Sequence, residues 1–305
     1  MADTPVFVIL GVQGSGTNLL SRVLVRGFDF SLIEDGSVIF HAAAKLGDSP
    51  APADIRRAYN VVRSRLFPSP LARKTKRLVK AKANFEGIDS HFEAAQIESG
   101  AGLARFVYDY GAYQLGTSRI AIKSDDLWEH IDRIDHVLPK RRIILLTRDF
   151  RDNLLSIASK DFGPIDPLSA ARYVKRQFAF YEAEYLRTPV AYRCHVRYED
   201  ILDSPHAVAR RLSDHFGLPL VSGWHTALDA ICIRPGTRNK WESLGTRRLG
   251  QLEAFLSTEL RRYGYRAACG ETEIPGRAEW IIATASDTVR RIGQKSLRVV
   301  SRLRR

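Results

Sequence analysis

Near the amino terminus the chain reads Gly11-Val12-Gln13-Gly14-Ser15-Gly16-Thr17-Asn18, after the apolar run Val6–Leu10 and before the helical-looking run Leu19–Leu24. A loop that leaves a buried strand and opens a helix presents several unpaired backbone N–H groups, and the helix dipole reinforces them. Such a turn binds an anion. Its glycines let the backbone come close, and Ser15, Thr17 and Asn18 add side-chain donors. Gly11 and Gly16 have the spacing of a nucleoside-triphosphate loop, yet Thr17 stands where a lysine would reach the β- and γ-phosphates. Residues Gly14 to Asn18 therefore predict a phosphate or sulfate oxyanion and argue against an ordinary ATPase or GTPase. A glycine-rich turn that only packs a helix on a sheet is the plain alternative.

A second group lies far along the chain. The run Arg142–Thr147 is short, continuous and apolar, as a central strand is. It is followed by Arg148-Asp149-Phe150-Arg151-Asp152-Asn153-Leu154-Leu155-Ser156. Arg148 then sits at the carboxyl end of a strand, where open α/β sheets bind ligands. Ser156 lies about two turns into the following helix, and Asp152 is placed to cap that helix. An arginine and a hydroxyl facing one crevice suit a phosphate monoester.

The elements that must position these groups alternate. Strands are predicted at 5–10, 28–33, 119–123, 142–147 and 190–197. Helices are predicted to about Arg26, and at 41–46, 127–137, 152–160, 167–186, 205–216 and 246–263, the last stopped by Gly264. This order implies an α/β fold: a P-loop-type, mainly parallel central sheet flanked by helices. Residues 49–104 are polar, basic and mostly helical, and read as a helical insertion or lid. The expected organisation is one α/β domain over 1–270 and a basic amphipathic tail over 276–305.

The 305 residues carry 47 Lys plus Arg against 34 Asp plus Glu, a formal net charge of +13, which favours a polyanionic partner. Nucleic acid is not expected, because no recognised nucleic-acid motif accompanies the charge. Cys194, Cys232 and Cys269 are too widely spaced for a metal site and odd in number, as in a reduced, cytoplasmic protein. No secretory leader and no apolar run long enough to span a bilayer is read from the sequence.

Together the two motifs resemble the sulfotransferases that use 3′-phosphoadenosine 5′-phosphosulfate (PAPS). GVQGSGTNLL is similar to the loop that holds the 5′-phosphosulfate in that family, and RDFRDNLLS to the unit that holds the ribose 3′-phosphate. Further likenesses follow in family order: Ile122-Lys123-Ser124, then Val196-Arg197-Tyr198-Glu199-Asp200-Ile201-Leu202, then the basic loop Arg234–Trp241, then Leu260–Tyr265. They span most of residues 5–266 except the insertion. The resemblance implies PAPS as co-substrate, 3′-phosphoadenosine 5′-phosphate (PAP) as product, and no metal. It implies nucleotide binding by Gly14, Ser15, Gly16, Thr17, Asn18, Arg148, Ser156, Tyr198, Arg238 and Lys240. Tyr198 is either an adenine neighbour or a core aromatic.

One departure stands out. Many relatives carry Lys or Arg in the first loop, where this chain has Gln13 and Gly14. Lys123, Arg238 and Lys240 are the cations that could replace it. The resemblance also implies a general base, Glu or His. Glu34, after the first βα unit, is the first candidate and His41 the second; a turn carboxylate and a helix-surface histidine are the plain alternatives.

The basic residues between Arg63 and Lys82 could attract an anionic acceptor. The tail, with Arg290, Arg291, Lys295 and Arg298, could lie on an anionic membrane surface or dock as a terminal helix. The reading is a cytoplasmic or membrane-peripheral enzyme that sulfates a hydroxyl, on a carbohydrate or glycolipid. The alternatives are a P-loop small-molecule kinase and a non-catalytic anion-binding protein at a membrane.

Overall fold

The computed structural model describes residues 5–34, 36–66, 87–114, 116–117, 119–123, 126–160, 163–233, 238–270 and 274–288. In chain order its first elements are β1 (Val6–Leu10), α1 (Thr17–Phe28), β2 (Phe30–Glu34), α2 (Gly36–Ala44) and α3 (Pro52–Leu66). Next come α4 (Ile88–Ala94), α5 (Gly100–Gln114), β3 (Arg119–Lys123), α6 (Ile134–Val137) and β4 (Arg141–Thr147). Then follow α7 (Phe150–Ala158), α8 (Pro167–Arg187), β5 (Arg193–Arg197), α9 (Tyr198–Asp203), α10 (Pro205–Phe216) and α11 (Trp224–Asp229). The last are α12 (Thr246–Phe255), α13 (Ser257–Arg262) and a helix over 277–288.

The five strands form one parallel sheet in the order β2-β3-β1-β4-β5. All five residues of β1 are buried, because helices cover both faces of a parallel sheet. β1 pairs with β3 on one side and β4 on the other, Val8 opposite Ile122 and Ile143. From β1 the chain goes to one edge of the sheet, and from β4 to the other edge. The carboxyl ends of these two neighbours are thus the switch point where such sheets bind ligands. One leads into the glycine loop, the other into Arg148.

By its internal contacts the chain divides into two compact units. The first comprises residues 1–11, 16–146 and 180–232 and contains the sheet. Its core joins Phe7, Ile9, Leu24 and Phe28 to Val196, Leu212 and Phe216. The insertion packs through aromatic residues, and Tyr59 and Phe92 both meet Phe106 of α5, at 6.5 and 5.9 Å. Tyr59 of α3 stacks on Phe92 of α4 at 3.7 Å, and its hydroxyl donates to Asp89 at 2.7 Å. Most of the basic run, Arg73 to Lys82, lies outside the described residues.

The second unit comprises residues 12–15, 147–179 and 233–305. Phe150 of α7, Phe178 of α8, Tyr263 and Tyr265 meet edge to face or tilted in its core. The helix over 277–288 belongs to this core. Trp280 meets Phe255 edge-on at 4.8 Å and lies under the Arg172 guanidinium at 4.3 Å. Asp287 accepts from the backbone N–H groups of Ile165 and Asp166 at 2.8 and 3.0 Å. This part of the tail is therefore a docked helix. The basic residues from Arg290 onward lie outside the described residues, and among the described residues no helix is long and apolar enough to cross a membrane.

Four local expectations are corrected. Helix α7 starts at Phe150 with Asp149 as its cap, accepting from Arg151 N–H at 3.0 Å, so Asp152 is free for another task. The strand expected from Val190 starts at Arg193. Val190 and Tyr192 are exposed, and Pro189 leads into a 3₁₀ turn rather than a ladder. The helix expected at 127–137 is 3₁₀ over Leu127–Arg133, kinked where His130 leaves helical angles. The helix expected at 246–263 is broken at the fully buried Leu256 into α12 and α13.

His195 on β5 supplies a test of this core. Burial, with help from the Arg211 charge, pushes its imidazole down to about 4. A buried neutral histidine stabilises the fold above its unfolded value near 6.5, and that contribution drains away as pH falls toward 4. Urea melts of wild type should lose up to ~3 kcal/mol between pH 7 and 4 through this group. A His195→Phe variant should show a correspondingly shallower pH dependence. Equal slopes would mean that His195 titrates normally.

Candidate functional site

In the first unit the site is built around the start of α1. Gly16 caps this helix at φ 98° and, as a glycine, brings no side chain to the N–H groups of its first turn. Tyr198, at the start of α9, lies against Gly16 so closely that a methyl group there would collide with its ring. Tyr198 is buried and braces the loop, closer to the core role than to an open stacking platform. Asn18 Oδ1 accepts from Lys123 Nζ at 2.5 Å. Lys123 closes β3, and its backbone is the register partner of Glu34 at the end of β2. The Glu34 side chain, with Ser124 and Asp125, lies outside the described residues.

His41 projects from α2 within the same unit. Asp126 Oδ2 lies 3.5 Å from its Nε2, and the His130 ring is 4.8 Å away, edge to face. Both His41 nitrogens are buried without a hydrogen bond among the described residues. The ring also lines a cleft of about 670 Å³ between α2 and α3.

In the second unit the two motifs meet. Arg148 Nη1 donates to the Gly14 carbonyl at 2.8 Å. Gly14 has φ 84°, and a methyl group there would lie 2.9 Å from Asn153 Oδ1 and 3.0 Å from Ser156 Oγ. Only glycine fits this backbone and this gap. Asp152, the supposed cap, is buried and accepts from Trp241 N–H at 3.3 Å, with Arg148 Nη2 3.8 Å away. It ties the late basic loop to Arg148. Burial pushes the Asp152 carboxyl up, and the Arg148 charge opposes that. Lys240 is pushed down by burial and then by the Arg148 charge. A lysine whose charge is disfavoured beside Arg148 is what an anion would relieve.

Arg151 does different work. Its guanidinium bonds Asp149 and Glu253, stacks over Trp241 at 4.0 Å, and is itself buried. Arg238 is exposed, while residues 234–237 lie outside the described residues.

Within the second unit Ser15 Oγ is buried with no hydrogen-bond partner among the described residues, and Gly14 is closed underneath by side chains, as an oxyanion-holding turn would be. Among the described residues no cluster of His, Cys, Asp or Glu is placed to hold a metal ion.

Residues 5–222 match the model of the Sulfotransferase family. The chain belongs to that family. Membership makes it an enzyme that draws its sulfuryl group from PAPS, and removes the kinase alternative. Its fold is similar to the sulfotransferase domain of the Synechococcus PCC 7002 olefin synthase, at 17% identity, covering 87% of this chain and 97% of that one, TM-score 0.56. It is also similar to the sulfotransferase domain from the curacin biosynthetic pathway, at 13% identity, covering 90% and 99%, TM-score 0.55. A Mycobacterium avium sulfotransferase aligns at 12% identity over 91% and 79%, TM-score 0.51. No curated protein matches the sequence.

Three residues of this sulfotransferase escaped the sequence reading: Asp152 as a buried anchor, Asn153 beneath Gly14, and Asp126 beside His41. Only the i, i+4 spacing of Arg148 and Asp152 offered a signal. Replacement of Gly16 by Ala should weaken PAP binding at least ~tenfold, since the new methyl group meets both a left-handed backbone and the Tyr198 ring. Tyr198→Ala in the same background should recover only part of that loss. Calorimetric titration of the three proteins measures both effects.

Proposed function

We propose that the enzyme transfers the sulfuryl group of PAPS to an alcohol acceptor, with the glycine loop and the Arg148 unit holding one nucleotide. The observation that carries this reading is the bond from Arg148 to the Gly14 carbonyl, with Ser156 packed on the same glycine. It joins the two motifs whose separate meanings were a 5′-phosphosulfate and a 3′-phosphate.

When bound, PAPS supplies the sulfuryl group: its sulfur–oxygen bond to phosphate breaks as one to the acceptor oxygen forms, and the acceptor proton passes to a base. Gly14, Ser15, Gly16, Thr17 and Asn18 hold the phosphosulfate end through loop amides and hydroxyls. Arg148, Ser156 and Lys240 hold the 3′-phosphate, with Arg238 beside them on the late loop. Tyr198 keeps the loop in shape beneath the nucleotide. Lys123, steered by Asn18, supplies the positive charge that a loop lysine gives elsewhere. Positioned charge of this kind stabilises the leaving oxygen without reorganisation.

Glu34 is the first choice of base, because its backbone ends β2 beside Lys123. A second assignment, His41, is favoured by Asp126, which can orient an imidazole as a carboxylate does in other acid–base pairs. The carbohydrate or glycolipid acceptor rests on Glu34 and the basic segments, and attachment to a membrane on the tail alone.

Titration of purified protein with PAP, and separately with ATP and magnesium, tests the reading. PAP should bind without metal, and Arg148→Ala should weaken it about a hundredfold, the scale of a lost charge-assisted contact to phosphate. ATP–magnesium binding with no response to PAP would overturn it. Tight PAP binding with no turnover on any acceptor would leave a silent binding protein instead.

A further inference from the structure

The cleft between α2 and α3 has no part in nucleotide binding as described above, and its walls are chemically one-sided. Val38, Ala42, Leu46, Ala58 and Val61 give it apolar lining, and His41 and Lys45 line it too. Arg57 and Asp54, also on its wall, form an ion pair with each other. Asp48 turns to Arg133 and His136, at 3.6 and 3.7 Å. Lys45, exposed on the same cleft, has no ion-pair partner among the described residues and so offers it a cation.

The cleft is linked to the reacting end of the sheet inside the same unit. Asn18 bonds Lys123 at the end of β3; three residues later Asp126 reaches His41; and His41 lines the cleft. Lys45 stands one residue past the end of α2, where its backbone N–H still donates to the His41 carbonyl at 3.2 Å, one turn from His41. The flexible lysine stem extends that reach over the apolar wall.

We infer that this cleft seats the acceptor, and that the acceptor is an amphiphile: a hydroxyl near His41, an apolar chain across Ala42, Leu46 and Ala58, and an anionic group at Lys45. This rests on the sulfotransferase reading and narrows its acceptor. A free sugar would have to lay hydroxyls against Val38, Ala42, Leu46, Ala58 and Val61, which offer no side-chain hydrogen bond. An amine would meet Lys45. Transfer forms the bond from the acceptor oxygen to sulfur, breaks that from sulfur to the phosphate oxygen, and delivers the hydroxyl proton to the base.

The test uses three acceptors, 8-hydroxyoctanoate, 1-octanol and N-acetylglucosamine, with PAPS and the full chain. Wild type, Lys45→Glu, Ala58→Asp and Ala58→Trp are compared, with PAP titration and thermal melts as controls. The expected order for wild type is 8-hydroxyoctanoate over octanol over the sugar. Lys45→Glu should cost about tenfold in kcat/KM for 8-hydroxyoctanoate and little for octanol. Both Ala58 variants should depress both alcohols while PAP still binds. Preference for the sugar, or alcohol transfer indifferent to both Ala58 variants, overturns the cleft assignment and leaves the nucleotide site standing. Failure of wild type to bind PAP overturns the sulfotransferase ligand assignment and this one with it.

Discussion

The geometry of the first loop depends on how little room there is beneath it. Gly14 and Gly16 both turn left-handed, and each rests on a side chain from a distant element. Asn153 and Ser156 sit under Gly14, and Tyr198 under Gly16. A loop held from below can aim its amide N–H groups outward without a lysine to anchor it. That is one physical answer to the missing cation. In a triphosphate loop the lysine neutralises a heavily charged terminal phosphate. A sulfuryl group carries less charge, so rigid dipoles and one remote lysine can do more of the work.

The two arginines of the Arg-Asp-Phe-Arg-Asp run show how similar residues diverge once buried. Arg151 is enclosed by two carboxylates and an indole, so its charge is balanced within the protein. Breaking such an arrangement by removing one partner leaves a buried charge and is costly. Arg148 shares its neighbourhood with Asp152 and with Lys240, whose ammonium is disfavoured by burial and by Arg148 itself. Two cations and one carboxylate are an incomplete set. In the proposed reading an anionic ligand would complete it, making the same charges a cost to the empty protein and a source of affinity for a phosphate.

The sheet was legible because parallel strands announce themselves as short, unbroken apolar runs. Val6–Leu10, Arg119–Lys123 and the later part of Arg141–Thr147 are all of this kind. Arg148, Ser156 and the loop glycines were legible because their backbone positions follow from strand ends and helix turns. What was not legible came from tertiary context. Asp152 looked like a cap because aspartate usually caps at such a place, but Asp149 had already filled that role and freed its neighbour. Val190 and Tyr192 looked like strand residues but are exposed, because apolarity alone does not say which side of a turn is buried. The tail's first half docks through Trp280 and Asp287, a choice fixed by partners more than a hundred residues away in sequence.

Net charge was the least specific guide to the acceptor. A chain of +13 attracts anions in general, and long-range attraction of that kind raises encounter rates without choosing a shape. Choice comes from groups that lose water on binding. In the α2–α3 cleft Arg57 and Asp54 are already paired with each other, and the neighbouring Asp48 pairs with Arg133 and His136 outside it. Those pairs add little selectivity, since their charges are spent on one another. Lys45 and the methyl-lined wall are what remain to discriminate. A ligand that satisfies both must carry its charge at one end and its apolar surface in the middle. In that reading its hydroxyl is left for the end where Asp126 meets His41.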